Sequence, residues 1–292
     1  MTRLTLARSV SVEGIGIHTG THARVTLSPA PFGAGIVFRS CGVEIPAHVD
    51  YVVDTSRCTV LGKDGVTIST VEHLMSAIAS IGVGDAYVDV DGAELPIGDG
   101  SADLWVDALM DADDVSNGVS DASQTGFAPT STLRVDGKNG SYIEARAAKC
   151  LSIRVTVQFD HPMVGTQTAT FSDCVDNWHD YSIAVAPART FGFIEEVEAL
   201  RKAGLALGGS EENAVVVYPD RYSKPLRFPN ELAVHKLLDL MGDLALAGLP
   251  LPNLEIVAVK PSHRLNVEFA KLLVSRALPP VALTPQPPLS SE

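Results

Sequence analysis

Residues 231–275 read ELAVHKLLDLMGDLALAGLPLPNLEIVAVKPSHRLNVEFAKLLVS. Apolar residues at helical spacing predict a helix over 231–247, and the run LEIVAVK predicts a strand over 254–260. Pro261, Ser262 and His263 mark a turn, and a last helix is predicted over 265–275. The first half carries the same order: a helix over 71–81, a strand over 86–90 (AYVDV), a Gly/Pro/Ser turn over 96–101 and a helix over 102–110. His73 and His235 fall in the corresponding helices. The pattern reads as two duplicated α+β units with little surviving identity.

Working outward, 23–28 (ARVTLS) and 35–39 (GIVFR) are predicted strands of the first unit, and 131–135, 142–147 and 151–159 of the second. A further helix is predicted over 193–202. Residues 111–131 are polar and Ser/Asp/Gly-rich and read as a linker. The expected division is therefore an N-terminal domain over 1–122 and a C-terminal domain over 123–278. A disordered or extended tail over 279–292 follows, with prolines at 279, 280, 285, 287 and 288.

The 292 residues suit two domains at about 150 residues each. Hydrophobic residues make up 46% and charged residues 20%, enough to exclude a disordered chain. The formal net charge is −13, which argues against nucleic-acid binding by bulk charge. Any anionic ligand must then meet local positive charge. No apolar signal segment opens the chain, and the most apolar stretch, 244–259, is broken by Gly248, Pro250, Pro252, Asn253 and Glu255. Cys41, Cys58, Cys150 and Cys174 form no CxxC pair, so reduced thiols in a cytoplasmic protein are expected.

His235, Asp239 and Asp243 recur at i, i+4 and i+8, which lines them along one helix face. His235 and Asp239, one turn apart, can converge on one cation, although a His and an Asp at this spacing more commonly make a surface pair. Glu72-His73 at the start of the 71–81 helix offers a base beside a metal ligand. Taken alone, Ser69-x-x-Glu72 more commonly marks a capping box. His263, just past a strand end, stands where loops carry function, or is simply exposed. Thr190 and Phe191 in ARTFGF offer a hydroxyl donor and an apolar wall, or an ordinary aromatic core segment. Cys58 offers a thiolate ligand or an apolar core thiol. No GxxxxGK[ST], GxGxxG or HExxH motif is present in a fitting context.

GIGIHTG (14–20), STVEHL (69–74), ELPIGDGSA (94–102), FDHP (159–162), ARTFGF (188–193), LALGGS (205–210), HKLLDLMGD (235–243) and KPSHRLN (260–266) occur in one order along the chain. In these motifs and their spacing the chain resembles the zinc-dependent UDP-3-O-acyl-N-acetylglucosamine deacetylases of lipid A biosynthesis, from Leu4 to about 278. The resemblance implies two similar domains, each a mainly antiparallel sheet packed on helices, with the active site between them. It also implies one Zn2+ per chain on His73, His235 and Asp239, a set of ligands that Fe2+ also fits. Glu72 would be the general base. His263, held by Asp243, would be the charged partner, and Thr190 would donate to the oxyanion. Lys236 and Lys260 would lie near the diphosphate, Phe159 near the uracil, Phe191 near the sugar, and 203–210 along the acyl chain. The expected partner is the UDP-linked acylated amino sugar, with no nucleic acid. A monomer without a transmembrane segment, in transient contact with membrane-associated pathway enzymes, is expected. Two alternatives are a zinc amidohydrolase for another N-acyl amino sugar or nucleotide sugar, and a non-catalytic sugar-nucleotide binder.

Overall fold

A computed structural model describes residues 4–112, 114–115, 129–172, 177–248 and 253–276. In the first half a seven-stranded sheet is organised around the strand Val83–Asp91. That strand pairs antiparallel with His22–Pro29 and parallel with both Leu4–Leu6 and Ile36–Ser40. Along His22–Pro29 the side chains alternate, Ala23, Val25 and Leu27 pointing into the core, as a period of two requires. Two helices cover this half, α1 (Glu72–Ile81) and α2 (Asp103–Asp111).

The second half builds a five-stranded sheet in the order Leu133–Asp136, Tyr142–Ala147, Leu254–Val259, Ser152–Gln158, Thr166–Ser172. Its helices are α3 (Asn177–Ala184), α4 (Ile194–Lys202), α5 (Glu231–Ala245) and α6 (His263–Arg276). In each half the strand that follows the His-bearing helix takes an interior position in its sheet: Val83–Asp91 after α1, and Leu254–Val259 after α5. The next helix, α2 or α6, comes after that strand. This is the α+β duplication read from the sequence. Antiparallel pairs predominate, and each half also carries parallel pairs.

The helices α1 and α5 pack directly on each other between the sheets, and one continuous apolar core spans both halves. Gly242 sits at their closest approach, where a Cβ atom would overlap the Glu72 carbonyl oxygen. This contact brings the Glu72-His73 pair against the His235–Asp243 face.

Several local expectations change. The predicted helix over 193–202 starts at Ile194, because Phe191–Phe193 is a short strand parallel to Val215–Val217. The predicted helix over 265–275 starts at His263, which is therefore a helix residue rather than a loop residue. A three-stranded insert, Val52–Asp54, Val60–Lys63 and Val66–Ser69, precedes α1. Cys41 and Cys58 are free, whereas Cys150 is disulfide-bonded, which corrects the expectation of reduced thiols at that position. Cys174, the expected domain boundary at 122 and the expected tail at 279–292 lie outside the described residues. Among the described residues no helix is long and apolar enough to cross a membrane.

Candidate metal centre and active site

The polar stripe of α5 is buried: His235, Asp239 and Asp243 are each exposed by 2% or less. The surface-pair reading of His235 and Asp239 is thereby overturned. His73, from the first turn of α1, meets them. The ligand-type atoms of His73, His235 and Asp239 lie within 4.8 Å of one another. His73 Nε2 and His235 Nε2 stand 3.7 and 3.4 Å from Asp239 Oδ1.

Both imidazoles are oriented by backbone. His73 Nδ1 lies 3.3 Å from the Ser101 carbonyl, and His235 Nδ1 lies 3.0 Å from that of Ala188. A carbonyl only accepts, so each Nδ1 carries the proton and each Nε2 turns a lone pair toward Asp239. Burial lowers the pKa of His73 and pushes that of His235 down to about 3, which keeps both rings neutral. Burial works against ionisation of Asp239, yet its carboxyl is held far below the usual range, with the Lys236 ammonium in contact with it. Lys236 Nζ occupies Asp239 Oδ2 at 2.7 Å, while Oδ1 is buried with no hydrogen-bond partner. A buried carboxylate oxygen left without a donor is costly. Two neutral imidazole nitrogens aimed at it make a donor set that fits a divalent ion such as zinc.

The second group lies beside the first. Glu72, Asp239 and His263 also bring atoms within 4.8 Å of one another. His263 Nδ1 bonds Asp243 Oδ2 at 3.0 Å, and its Nε2 faces Glu72 Oε1 at 4.0 Å. Burial raises the Glu72 pKa to about 7, with the nearby Asp243 and Asp239 adding to the rise and His263 opposing it. Burial alone would discharge His263, but Asp243 and Glu72 outweigh it and raise its pKa to about 9. Between these values Glu72 is an unprotonated base and His263 a protonated acid.

The capping-box reading of Glu72 is overturned. The Ser69 amide donates to Ala93 O instead, and Glu72 Oε2 accepts the Thr59 amide at 3.1 Å. Cys58 is a buried core thiol whose pKa burial pushes up strongly, and it joins no ligand group among the described residues.

The walls follow from the short strand Phe191–Phe193. Phe191 packs edge-on to Phe159 at 5.7 Å and to His235 at 6.2 Å between ring centroids. Thr190 is pinned through its backbone, its amide donating to Gly100 O at 2.7 Å and its carbonyl accepting from Val215. Behind it the buried Arg189–Glu231 pair, at 2.8 Å, ties this segment to the start of α5. Lys260 ends the strand Leu254–Val259 at a positive φ of 49°. Segment 205–210 docks on the 14–20 loop: the Leu207 and Gly208 amides donate to the His18 and Ile17 carbonyls. Glu94 in turn clamps that loop through the His18 and Thr19 amides. A cavity of about 620 Å³ lies elsewhere, on the first-half sheet, and its Arg39 is already paired with Asp89.

Four functional contacts escape a reading of the sequence. The Ser101 and Ala188 carbonyls act through backbone and leave no side-chain signal. Asn266 donates to Asp243 Oδ2 at 2.8 Å, and its i+3 spacing from His263 was the available clue. Thr59 bonds Asp243 Oδ1 and carries no signal beyond adjacency to Cys58.

A family model described as UDP-3-O-acyl N-acetylglycosamine deacetylase matches residues 3–275. A Myxococcus xanthus protein named UDP-3-O-acyl-N-acetylglucosamine deacetylase is 40% identical over 287 residues, covering 93% of this chain and 86% of the relative. Proteins of the same name from Trichormus variabilis and Geotalea uraniireducens are 35% and 39% identical. The first alignment covers 94% of this chain and 99% of the relative, the second 94% and 88%.

Proposed function

Since the chain belongs to the UDP-3-O-acyl N-acetylglycosamine deacetylase family, we propose that it hydrolyses the N-acetyl group of UDP-3-O-acyl-N-acetylglucosamine, releasing acetate and leaving a free amine for lipid A biosynthesis. The observation that carries this reading is the convergence of two neutral imidazole nitrogens on the orphaned Asp239 Oδ1, with Glu72 alongside. His73, His235 and Asp239 would hold the ion, zinc in this reading; Fe2+ fits the same donors. When bound, the ion supplies Lewis acidity, polarising the acetamide carbonyl and acidifying water beside it.

The chain's own groups do the rest. Glu72 takes the proton of the attacking water as its oxygen bonds to the acetyl carbon. His263, charged and held by Asp243, stabilises the oxyanion together with the Thr190 hydroxyl. The C–N bond then breaks, and the Glu72–His263 pair carries the proton to the leaving amine. Phe191 and Phe159 form the apolar wall for sugar and uracil. Lys236 and Lys260 supply local positive charge for the diphosphate, as a chain of net charge −13 requires. In this reading domain 1–122 contributes Glu72 and His73, and domain 123–278 the remaining ligands. The enzyme works as a monomer in the cytoplasm.

Acetate release from the UDP-linked, 3-O-acylated sugar is expected to exceed that from the unacylated sugar by orders of magnitude in kcat/KM. Equal rates would overturn the assignment in favour of a general N-acyl amino-sugar hydrolase.

A further inference from the structure

Thr59 is fully buried and bonds Glu72 through its amide and Asp243 through its hydroxyl. Its amide donates to Glu72 Oε2 at 3.1 Å, and its carbonyl accepts from the Val71 amide at 3.4 Å, one residue before α1. Its hydroxyl lies 2.5 Å from Asp243 Oδ1. An ionised carboxylate only accepts, so the Thr59 hydroxyl is the donor. Asp243 Oδ1 is thereby filled from the first half of the chain. Oδ2 is left to His263 Nδ1 at 3.0 Å and Asn266 Nδ2 at 2.8 Å. The carboxylate plane is fixed on both edges, which fixes the imidazole that leans on it. On the other side, the Thr59 amide fills Glu72 Oε2, so that Oε1 is the oxygen facing His263 Nε2 at 4.0 Å.

We propose that Thr59 is a positioning residue for the reaction, holding the Glu72 base and the Asp243–His263 pair in register across the boundary between the two halves. It touches neither the His73, His235 and Asp239 group nor the apolar wall; it bonds Asp243 and Glu72, and its hydroxyl also lies 3.4 Å from His263 Nδ1. Valine fills the same space, so a residue needed only to fill that space could be replaced by it with turnover of the folded protein kept, whereas a positioning hydroxyl could not. The inference rests on the deacetylase reading given above.

The test compares Thr59→Val and Thr59→Ser in the metal-loaded enzyme, alone and combined with Asp243→Ala. Valine keeps the amide and removes the hydroxyl; serine keeps both. Thr59→Val is expected to lower kcat about 10–100-fold with KM within about twofold of wild type, as misplacement of a catalytic group does. Metal content should stay near wild type, while melting should fall in the valine variant because the buried Asp243 Oδ1 loses its donor. Thr59→Ser should stay within about threefold of wild-type kcat. In the Asp243→Ala background the valine substitution should cost clearly less than in the wild-type background, because the hydroxyl's closest partner is already gone and only the 3.4 Å contact with His263 Nδ1 is left.

Wild-type turnover by Thr59→Val, equal loss in the serine variant, or full additivity with Asp243→Ala would each overturn the proposal. If the valine variant does not accumulate as folded protein, Thr59→Ala takes its place with the same expected and overturning results. Failure of the wild-type protein to release acetate would overturn the functional reading and this inference with it. Wild-type turnover beside an indifferent Thr59→Val overturns this inference alone.

Discussion

Replacing Glu72 by glutamine is expected to lower kcat by about 10²–10⁴-fold while one metal ion per chain stays bound. Glu72 is buried at the first residue of α1, and Oε2 accepts one hydrogen bond, from the Thr59 amide. Glutamine keeps the length of the side chain and an acceptor oxygen for that amide, so the fold should persist. It removes the carboxylate that faces His263 and that, in the proposed mechanism, takes the proton from water. The proposed ligand set of His73, His235 and Asp239 does not include Glu72, so metal content should not change. Turnover measured by acetate release, together with metal analysis of the same preparation, checks both halves of the statement. Wild-type turnover would leave Glu72 a structural role only.

The second large effect is expected at Gly242. An alanine Cβ there would overlap the Glu72 carbonyl oxygen, a backbone atom in the first turn of α1. A flexible side chain could swing aside, but a helix backbone can only be pushed away. Overpacking costs about 1–3 kcal/mol in ordinary cores, and this site should fall at or beyond the upper end. The displacement would also part Glu72 and His73 from His235 and Asp239, because these residues lie on the two helices that meet at this contact. Gly242→Ala is therefore expected to melt well below wild type and to bind metal weakly where it folds. Unchanged melting and metal content would mean that the helices have slack at this contact.

The chain declares some of this in its sequence and hides the rest, for physical reasons. The polar stripe of α5 is legible because helical periodicity is local: His235, Asp239 and Asp243 share a face whatever the rest of the chain does. Glu72 is not decidable locally. Ser69-x-x-Glu72 fits a cap, and only the pairing of Ser69 with Ala93 and of Glu72 with Thr59 removes it. His263 read as a loop residue because the apolar pattern resumes at Leu265. The helix starts earlier because Ser262 begins it, its carbonyl accepting from the Asn266 amide at 2.8 Å and its hydroxyl from that of Leu265.

One overlooked element did carry a readable mark. Lys63-Asp64-Gly65-Val66 joins two alternating segments, and Asp64 and Gly65 take positive φ angles of 49° and 82°, the conformation that an Asp-Gly hairpin turn requires. The orienting carbonyls of Ser101 and Ala188 could not have been read from residue types at all, since any residue supplies a carbonyl.

The central claim is that a metal ion held by His73, His235 and Asp239 is required for amide hydrolysis between the two halves of the chain. The most direct measurement removes metal with a chelator and titrates zinc back while acetate release is followed. About one equivalent per chain should restore full turnover to the wild-type protein, and His235→Ala should neither retain the ion nor recover. Full turnover by protein stripped of metal, or full recovery by the His235→Ala variant, would contradict it.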